Sequence, residues 1–220
     1  MITLRVEIPY ASFRKSYARS FAETYPLPPP ATVYGMLLSL VGERFRRRHA
    51  GVRLAFAYKR VPHIATTLRK LSRYKYGVPG KQATLGNAPD FVETLCGIDF
   101  LCWVDSAGEL LNQDGTQQDA RQTLEQRIIT ALTTPESVDR YGILCLGLSD
   151  DAVNDVHLYE AIEGQWYRLI PHHTGAIELP VWVDHVGAAK TRWQRYHLET
   201  HATTVTAPIS DQWTQIMAPE

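Results

Sequence analysis

The segment from residue 25 to residue 37 reads YPLPPPATVYGML. Its four prolines predict a stiff extended lead-in, because the pyrrolidine ring fixes φ and removes the backbone N–H. Apolar residues spaced three to four apart follow directly, which is the period of an amphipathic helix. The segment therefore predicts a helix with Thr32 as its cap, which places Arg44 and the arginines at 46–48 in its last turns before Gly51.

Strands are predicted on both sides of this helix. Apolar and polar residues alternate over residues 2–8 and again over 52–58, and an apolar stretch over 91–104 predicts a third strand. Residues 117–132 have the helical period, and 143–146 predict a short buried fourth strand. This order is that of a ferredoxin-like (RRM-like) βαββαβ fold of the α+β class, with an antiparallel sheet and both helices on one face.

The remainder of the chain predicts a smaller unit. Residues 151–220 are less periodic, with strands expected at 165–170 and 177–183 that form a small second sheet. We therefore expect a core over residues 1–150 and a β-rich lobe over 151–220 packed against it. No linker or internal repeat separates the two.

Composition excludes several classes of protein. The chain is 45% hydrophobic and 21% charged, as globular proteins are, and has neither a long apolar run nor a signal-peptide pattern. We expect a cytoplasmic protein with no membrane partner. The cysteines at 96, 102 and 145 lack metal-site spacing and predict buried reduced thiols.

The net charge of zero conceals two unlike parts of the sequence. Residues 1–86 carry 16 basic and 3 acidic side chains, a net charge of +13, and residues 87–220 carry −13. A strongly basic segment binds nucleic-acid phosphates by releasing counterions, so the first part favours RNA. Acidic residues of the second part, among them Asp150, Asp151 and Asp155, suggest a face for a basic protein, or ordinary solvated surface.

A basic insertion at about 61–90 lies between the second and third predicted strands. Cations alternate there with tyrosines, whose rings can stack on unpaired bases. A solvated loop with ordinary surface charge is the alternative. The candidate RNA-binding residues of the insertion are Arg69, Lys70, Arg73, Tyr74, Lys75, Tyr76 and Lys81.

Further candidate RNA-binding residues lie outside the insertion. Gly35, beside Tyr34, either lets a ligand approach the start of the helix or permits close packing of helix on sheet. Near the C-terminus, Trp193 is either part of a second cluster of cations and aromatics or a core residue. The complete set outside the insertion is Arg14, Lys15, Arg19, Tyr34, Gly35, Arg46, Arg47, Arg48, Lys190, Arg192 and Arg195.

The proline segment carries a family resemblance. Together with Phe13-Arg14-Lys15 upstream and Val41-Gly42-Glu43 downstream, it resembles the N-terminal signature of the Cas-five (Cas5) family, within the RAMP superfamily of CRISPR-associated proteins. Residues 146–150, LGLSD, are similar to the family's strand-then-glycine turn. The branch it resembles most is type I-B (Myxan-like).

The resemblance implies a non-catalytic subunit of a type I Cascade complex, an RNA-guided DNA surveillance complex. Such a subunit caps the 5′ handle of the CRISPR guide RNA (crRNA) and nucleates the backbone. Implied partners are the handle, a Cas-seven-like backbone subunit, the large PAM-reading subunit and, through the complex, target DNA. The insertion would be the family's thumb.

Two alternative functions stay open at this point. Some relatives are metal-independent endoribonucleases that use a tyrosine and a Lys-His dipeptide; this chain lacks the dipeptide, and Tyr34, Lys59 and His63 are the nearest equivalents. The other alternative is a protein scaffold with incidental RNA contact. No cofactor or metal site is predicted, because His172 and His173, if on a strand, would point to opposite faces, and no partner ligand complements them or His185.

Overall fold

The computed structural model describes residues 1–17, 21–75, 84–109, 122–159, 164–187, 189–204 and 206–219 of the chain, with the backbone alone for 69–75 and 84–89. Two α-helices and ten strands lie in these ranges, with two short 3₁₀ helices at Pro135–Ser137 and Ser210–Gln212. In chain order the main elements are β1 (Ile2–Ala11), β2 (Phe21–Ala22), α1 (Pro30–Leu40), β3 (Arg53–Tyr58), β4 (His63–Lys75), β5 (Thr84–Asp105), α2 (Leu124–Thr133), β6 (Asp155–Leu158), β7 (Tyr167–Pro171), β8 (Ile177–Trp182), β9 (Arg192–Leu198) and β10 (Thr214–Gln215).

All ten strands join one sheet. Its main order is β6-β1-β5-β3-β7-β9-β8, with β2 and β4 also paired to β5 and β10 paired to β3. Neighbours are antiparallel except β2 and β5. The predicted second sheet is wrong, because β7 pairs directly with β3 and so continues the sheet that the N-terminal strands begin.

Both helices cover the same face of this sheet, as predicted. The main core lies between them and the strands and includes Val33 and Leu37 of α1, Ile128 of α2, and Phe56 and Phe100 of the central strands. A smaller cluster on the opposite face is built around Trp103 and Trp166. The sheet therefore separates two surfaces with different side chains.

Helix α1 begins and ends earlier than predicted, and the predicted cap, Thr32, is wrong because it lies inside the helix. Pro29 is its N-cap and Pro30 its first residue, a position that needs no backbone N–H donor. The helix ends at Leu40, and Gly42 follows with φ of 67°, where a Cβ would collide with the carbonyl oxygen of Asp139. The prediction that four arginines lie in its last turns is wrong, because they follow the helix in a series of turns.

The predicted fourth strand is also wrong. Residues 143–146 contribute only an isolated bridge from Cys145 to Ala152. The position beside β1 belongs instead to β6, with Val6 opposite Val156. Gly147, with φ of 120°, turns the chain against β1, and the buried Asp151 accepts hydrogen bonds there from the amides of Ser12 and Leu148.

The second helix and the cysteines differ from the predictions in detail. Helix α2 begins only at Leu124, after a capping box formed by Thr123 and Gln126, and residues 117–121 of the predicted helix lie outside the described ranges. Cys102 is a buried free thiol, whereas Cys96 and Cys145 are only partly buried. The predicted burial of those two cysteines is therefore wrong.

The basic insertion forms a two-stranded arm. Strand β4 pairs with β5 from His63 opposite Cys96 to Lys75 opposite Thr84. Strands β1 and β2 pair with β5 only from Phe91 onward. Seven residues of β5, 84–90, thus pair with β4 alone among the described strands, an arm of about 20 Å at the usual rise per residue.

Candidate nucleic-acid interface

A groove runs along the first turns of α1 and the end of β8. It consists of three adjoining cavities of about 600, 380 and 330 Å³, and Val183 borders all three. We call it the α1 groove, with a central, a basic and an aromatic section in that order. Its walls come from residues 12–47, 139–148 and 180–193, together with Pro219 at the basic end.

The central section exposes the surface of α1 itself. Gly35 lines it, and a Cβ added at this position would meet nothing within 4 Å. Close packing of helix on sheet, one of the two alternatives for Gly35, is therefore wrong. Its missing side chain leaves room in the groove for a ligand.

Tyr34 shapes the groove from within the protein. Its hydroxyl donates a 2.7 Å hydrogen bond to the carbonyl oxygen of Arg46, and its ring lies 6.4 Å from that of Trp182. Burial raises the pKa of Tyr34 above its ordinary value. The residue is thus a buried support for the turn after α1.

Cations converge on the basic section. Arg46 lies 4.5 Å from the ring centroid of Trp182 and donates a 2.8 Å hydrogen bond to the carbonyl oxygen of Val183. Arg44 and Arg47 line the same cavity with exposed side chains, and Lys190 also lines it. Four positive charges from two distant parts of the sequence therefore surround one cavity.

A buried charge cluster holds the arginine turns in place. The Glu43 side chain, 2% exposed, accepts hydrogen bonds from Arg48 at 2.7 Å and Arg127 at 2.6 Å. Arg127 also contacts the buried His49, whose other ring nitrogen lies 2.9 Å from Glu109. Burial alone would raise the pKa of Glu43, but hydrogen bonds from Arg127, the Phe45 amide and Arg48 lower it to about 2.

The aromatic section holds Arg14 at its edge. Tyr25 and Trp193 line it, their ring centroids 6.1 Å apart. Trp193 is 44% exposed, so the alternative that it is a core residue is wrong. Asp184, on the border with the basic section, accepts hydrogen bonds from the amides of Val186, Gly187 and Lys190, and these lower its pKa.

The groove brings together six of the predicted RNA-binding residues, and Arg192 lines a neighbouring cavity with Lys190. Three others form ion pairs: Lys15 with Glu23 and Arg195 with Glu178 lie outside the groove, and Arg48 pairs with Glu43, which lines the central section. Of the insertion candidates, Arg69, Lys70, Arg73, Tyr74 and Lys75 have a described backbone in β4. Arg19, Tyr76 and Lys81 lie outside the described residues. The six in the groove are Arg14, Tyr34, Gly35, Arg46, Arg47 and Lys190.

The three residues of the endoribonuclease alternative are not adjacent. Tyr34 packs in the main core on the helix face. The Lys59 ammonium lies 4.9 Å from the ring centroid of Trp166, which belongs to the cluster on the opposite face. His63 begins β4 with an exposed side chain. The sheet thus separates the hydroxyl of Tyr34 from the ammonium of Lys59.

Other predicted features change place in the structure. His172 and His173 follow β7 in a turn and stack with centroids 4.6 Å apart, so the expected opposite orientation is wrong. Asp151 is buried and cannot belong to an acidic surface. In the described ranges no three His, Cys, Asp or Glu side chains are placed to hold a metal ion, and no helix is long and apolar enough to cross a membrane.

Sequence reasoning missed several residues of the groove. Tyr25 stands in the proline segment, where its aromatic ring was an available signal. Tyr141, which lines the central section and is 95% exposed, follows a turn with no distinctive pattern. Asp184 carries no signal in the sequence, because only the fold places it beside cations.

The fold is similar to those of solved CRISPR-associated structures. A chain of a CRISPR RNA-guided surveillance complex superposes with a TM-score of 0.61 at 15% identity, covering 96% of this chain and 95% of that one. A structure described as a Cas protein gives a TM-score of 0.50 at 15% identity, with 92% and 95% covered. The α+β fold with one large antiparallel sheet is therefore that of CRISPR-associated proteins.

The family follows from sequence comparison. Residues 1–133 match the family model described as CRISPR-associated protein (Cas_Cas5). The CRISPR-associated protein Cas5 of Myxococcus xanthus (strain DK1622) is 39% identical over 203 residues, which cover 90% of each chain. This chain belongs to the Cas5 family of CRISPR-associated proteins, as the proline segment predicted.

Proposed function

We propose that this protein is a non-catalytic subunit of a type I CRISPR Cascade complex and that it binds and caps the 5′ handle of the guide RNA in the α1 groove. The observation that carries the proposal is the groove itself. Cations from three segments of the chain line it, and at Gly35 of α1 no side chain occupies it. The likeness to a chain of a CRISPR RNA-guided surveillance complex supports a place in such a complex.

The chemistry of the groove suits a single-stranded RNA backbone. Arg44, Arg47 and Lys190 are exposed and can approach phosphates, while Arg46 is oriented by its contacts with Trp182 and Val183. The start of α1 adds a positive partial charge, and no acidic residue lies in its first turn. Because Gly35 has no side chain, the RNA backbone can come close to the helix.

The proposal also assigns roles to the rest of the molecule. The arm formed by β4 and β5 would be the thumb that reaches along the guide toward a Cas-seven-like backbone subunit. Strands β6-β1-β5-β3 with both helices on one face would be the ferredoxin-like unit of RAMP proteins. This protein would also contact the large PAM-reading subunit.

RNA binding can be tested on the full chain with synthetic single-stranded RNA of the handle sequence. We expect Arg44→Ala with Arg47→Ala to weaken binding and to reduce the slope of log Kd against log salt by about 0.7 for each phosphate that is no longer neutralised. Arg195→Ala is the matched control, because it removes an exposed cation that pairs with Glu178 outside the groove. Equal effects on Kd and slope in both variants would contradict the proposal.

Two further measurements separate the alternatives. Incubation of the isolated protein with repeat RNA in a chelator should leave the RNA intact, and cleavage abolished by His63→Ala would favour an endoribonuclease. In the assembled complex, removing this subunit should expose the 5′ handle to nuclease. If charge reversal at Arg73 and Lys75, together with the groove variants, leaves RNA affinity unchanged, the scaffold alternative stands.

A further inference from the structure

The aromatic section of the groove differs chemically from the other two. Its volume, about 330 Å³, is at the lower end of the range typical of small-molecule pockets. The rings of Phe13, Tyr25 and Trp193 and the side chains of Pro29 and Pro180 are among the residues that line it. These groups favour a planar ring over a phosphate.

Trp193 is placed to stack on such a ring. It packs against Tyr25 at 6.1 Å and is still 44% exposed, so contact with Tyr25 fixes it without covering it. An indole held in this way loses little conformational freedom when a base stacks on it. Arg14 borders the same cavity, where it can contact the phosphate next to that base.

Asp184 indicates which part of a nucleotide would occupy the aromatic section. Its carboxylate repels phosphate, yet it lies among the cations of the groove. Three backbone amides donate to its two oxygens, which leaves capacity for a further donor. Beside it, the Thr191 hydroxyl accepts from the Asp184 amide at 3.1 Å and keeps its own proton to donate.

We propose that the aromatic section is a nucleobase pocket: one base of the bound guide leaves the strand, stacks on Trp193 and donates its exocyclic amino group to Asp184. This inference rests on the proposed function, since the groove must first hold RNA. Guanine, adenine and cytosine present such an amino group. Uracil presents a single N–H between two carbonyl oxygens, which the carboxylate repels, so the pocket selects against uracil.

The test uses the full chain and synthetic handle RNA in which each position is replaced in turn by an abasic site or by uridine. We expect one position at which the abasic replacement weakens binding about 5- to 150-fold, the range expected for one stacked base. Uridine at that position should weaken binding by several-fold. Replacement of the same nucleotide by an analogue that lacks only the amino group should reproduce the effect of uridine without any change to the protein.

Variants of Trp193 and Arg47 test the same pocket through the protein. Trp193→Ala should make that position insensitive to replacement, whereas Trp193→Phe should retain its sensitivity. Arg47→Ala, at the other end of the groove, should weaken all RNAs equally. Thermal denaturation checks that Trp193→Ala remains folded.

The outcomes distinguish this proposal from the one on which it rests. If Arg47→Ala weakens binding but no position depends on Trp193, the pocket is refuted and the groove remains the RNA site. If the wild-type protein has no affinity for any of these RNAs, both proposals are overturned. A Trp193-dependent position that prefers uridine would overturn the role given to Asp184.

Discussion

Replacing Glu43 with glutamine removes the central charge of the buried cluster behind the groove. The cluster lowers the pKa of Glu43 from 4.5 to about 2. One pKa unit corresponds to about 1.4 kcal/mol. The ionised carboxylate therefore contributes about 3 kcal/mol to the free energy of unfolding at neutral pH, a large fraction of the stability of an ordinary domain.

The sign of the pH dependence follows from the lowered pKa. The contribution of Glu43 is fully present above about pH 4.5, its ordinary value, and is lost as the pH falls toward 2. Urea denaturation followed by tryptophan fluorescence measures the free energy of unfolding of both proteins at several pH values. We expect Glu43→Gln to cost about 3 kcal/mol at pH 7 and progressively less below pH 4.5.

A matched substitution controls for the loss of one carboxylate. Glu178→Gln removes an exposed ion pair with Arg195, which should cost less than about 1 kcal/mol. If Glu43→Gln costs no more than Glu178→Gln, or if its cost is the same at pH 7 and pH 3, the buried cluster does not stabilise the arginine turns as argued.

Three further predictions concern single side chains. Gly147→Ala should lower the free energy of unfolding by at least about 2 kcal/mol, because φ is 120° and the new Cβ would lie 2.6 Å from a carboxylate oxygen of Asp151. Gly142→Ala, also at positive φ but in open space, is the control. Equal costs of the two substitutions in urea denaturation would contradict the steric argument. Gly35→Ala should stabilise α1 by about 0.5–1 kcal/mol while weakening RNA binding; stabilisation with unchanged Kd would mean that RNA does not approach the helix there. Tyr34→Phe should cost about 1 kcal/mol, measured by denaturation, and a cost near zero would show that its bond to Arg46 is not needed.

The predictable parts of the fold are those set by local pattern. Alternation identified the strands at 2–8 and 52–58, and the proline segment identified α1, although the helix begins at Pro30 and not after Thr32 as predicted. Local pattern did not predict the end of α1. The apolar period continues to Val41, whereas the chain turns at Gly42 against the backbone of Asp139. That contact joins residues distant in sequence.

Errors in strand assignment have a similar cause. Residues 143–146 are apolar enough for a buried strand, but the turn at Gly147 and the bonds of Asp151 direct this stretch away from strand pairing. The pairing of β7 with β3 joins segments more than a hundred residues apart, and alternation alone cannot specify a partner. One sheet therefore formed where two were predicted.

The kinds of residue that form the candidate site could be predicted from the sequence, but their positions in the fold could not. Charge counting identified the arginines near residue 46, and the proline segment identified the family. Which cations share a cavity depended on the turns after α1 and on the position of β8. Lys15 and Arg195 have the same chemistry as Arg47 in sequence, yet each forms an ion pair outside the groove.

Segments from both halves of the chain meet at Val183, which borders all three sections of the α1 groove. Because residues 12–47 and 180–193 both line the groove, the proposed RNA site is complete only after β8 and β9 have joined the sheet. A ligand that binds only the folded state adds its binding free energy to folding, about 2.7 kcal/mol at a hundred times Kd. Guide RNA would then act as a folding ligand, retaining fully folded subunits in the growing complex and leaving incomplete ones outside it.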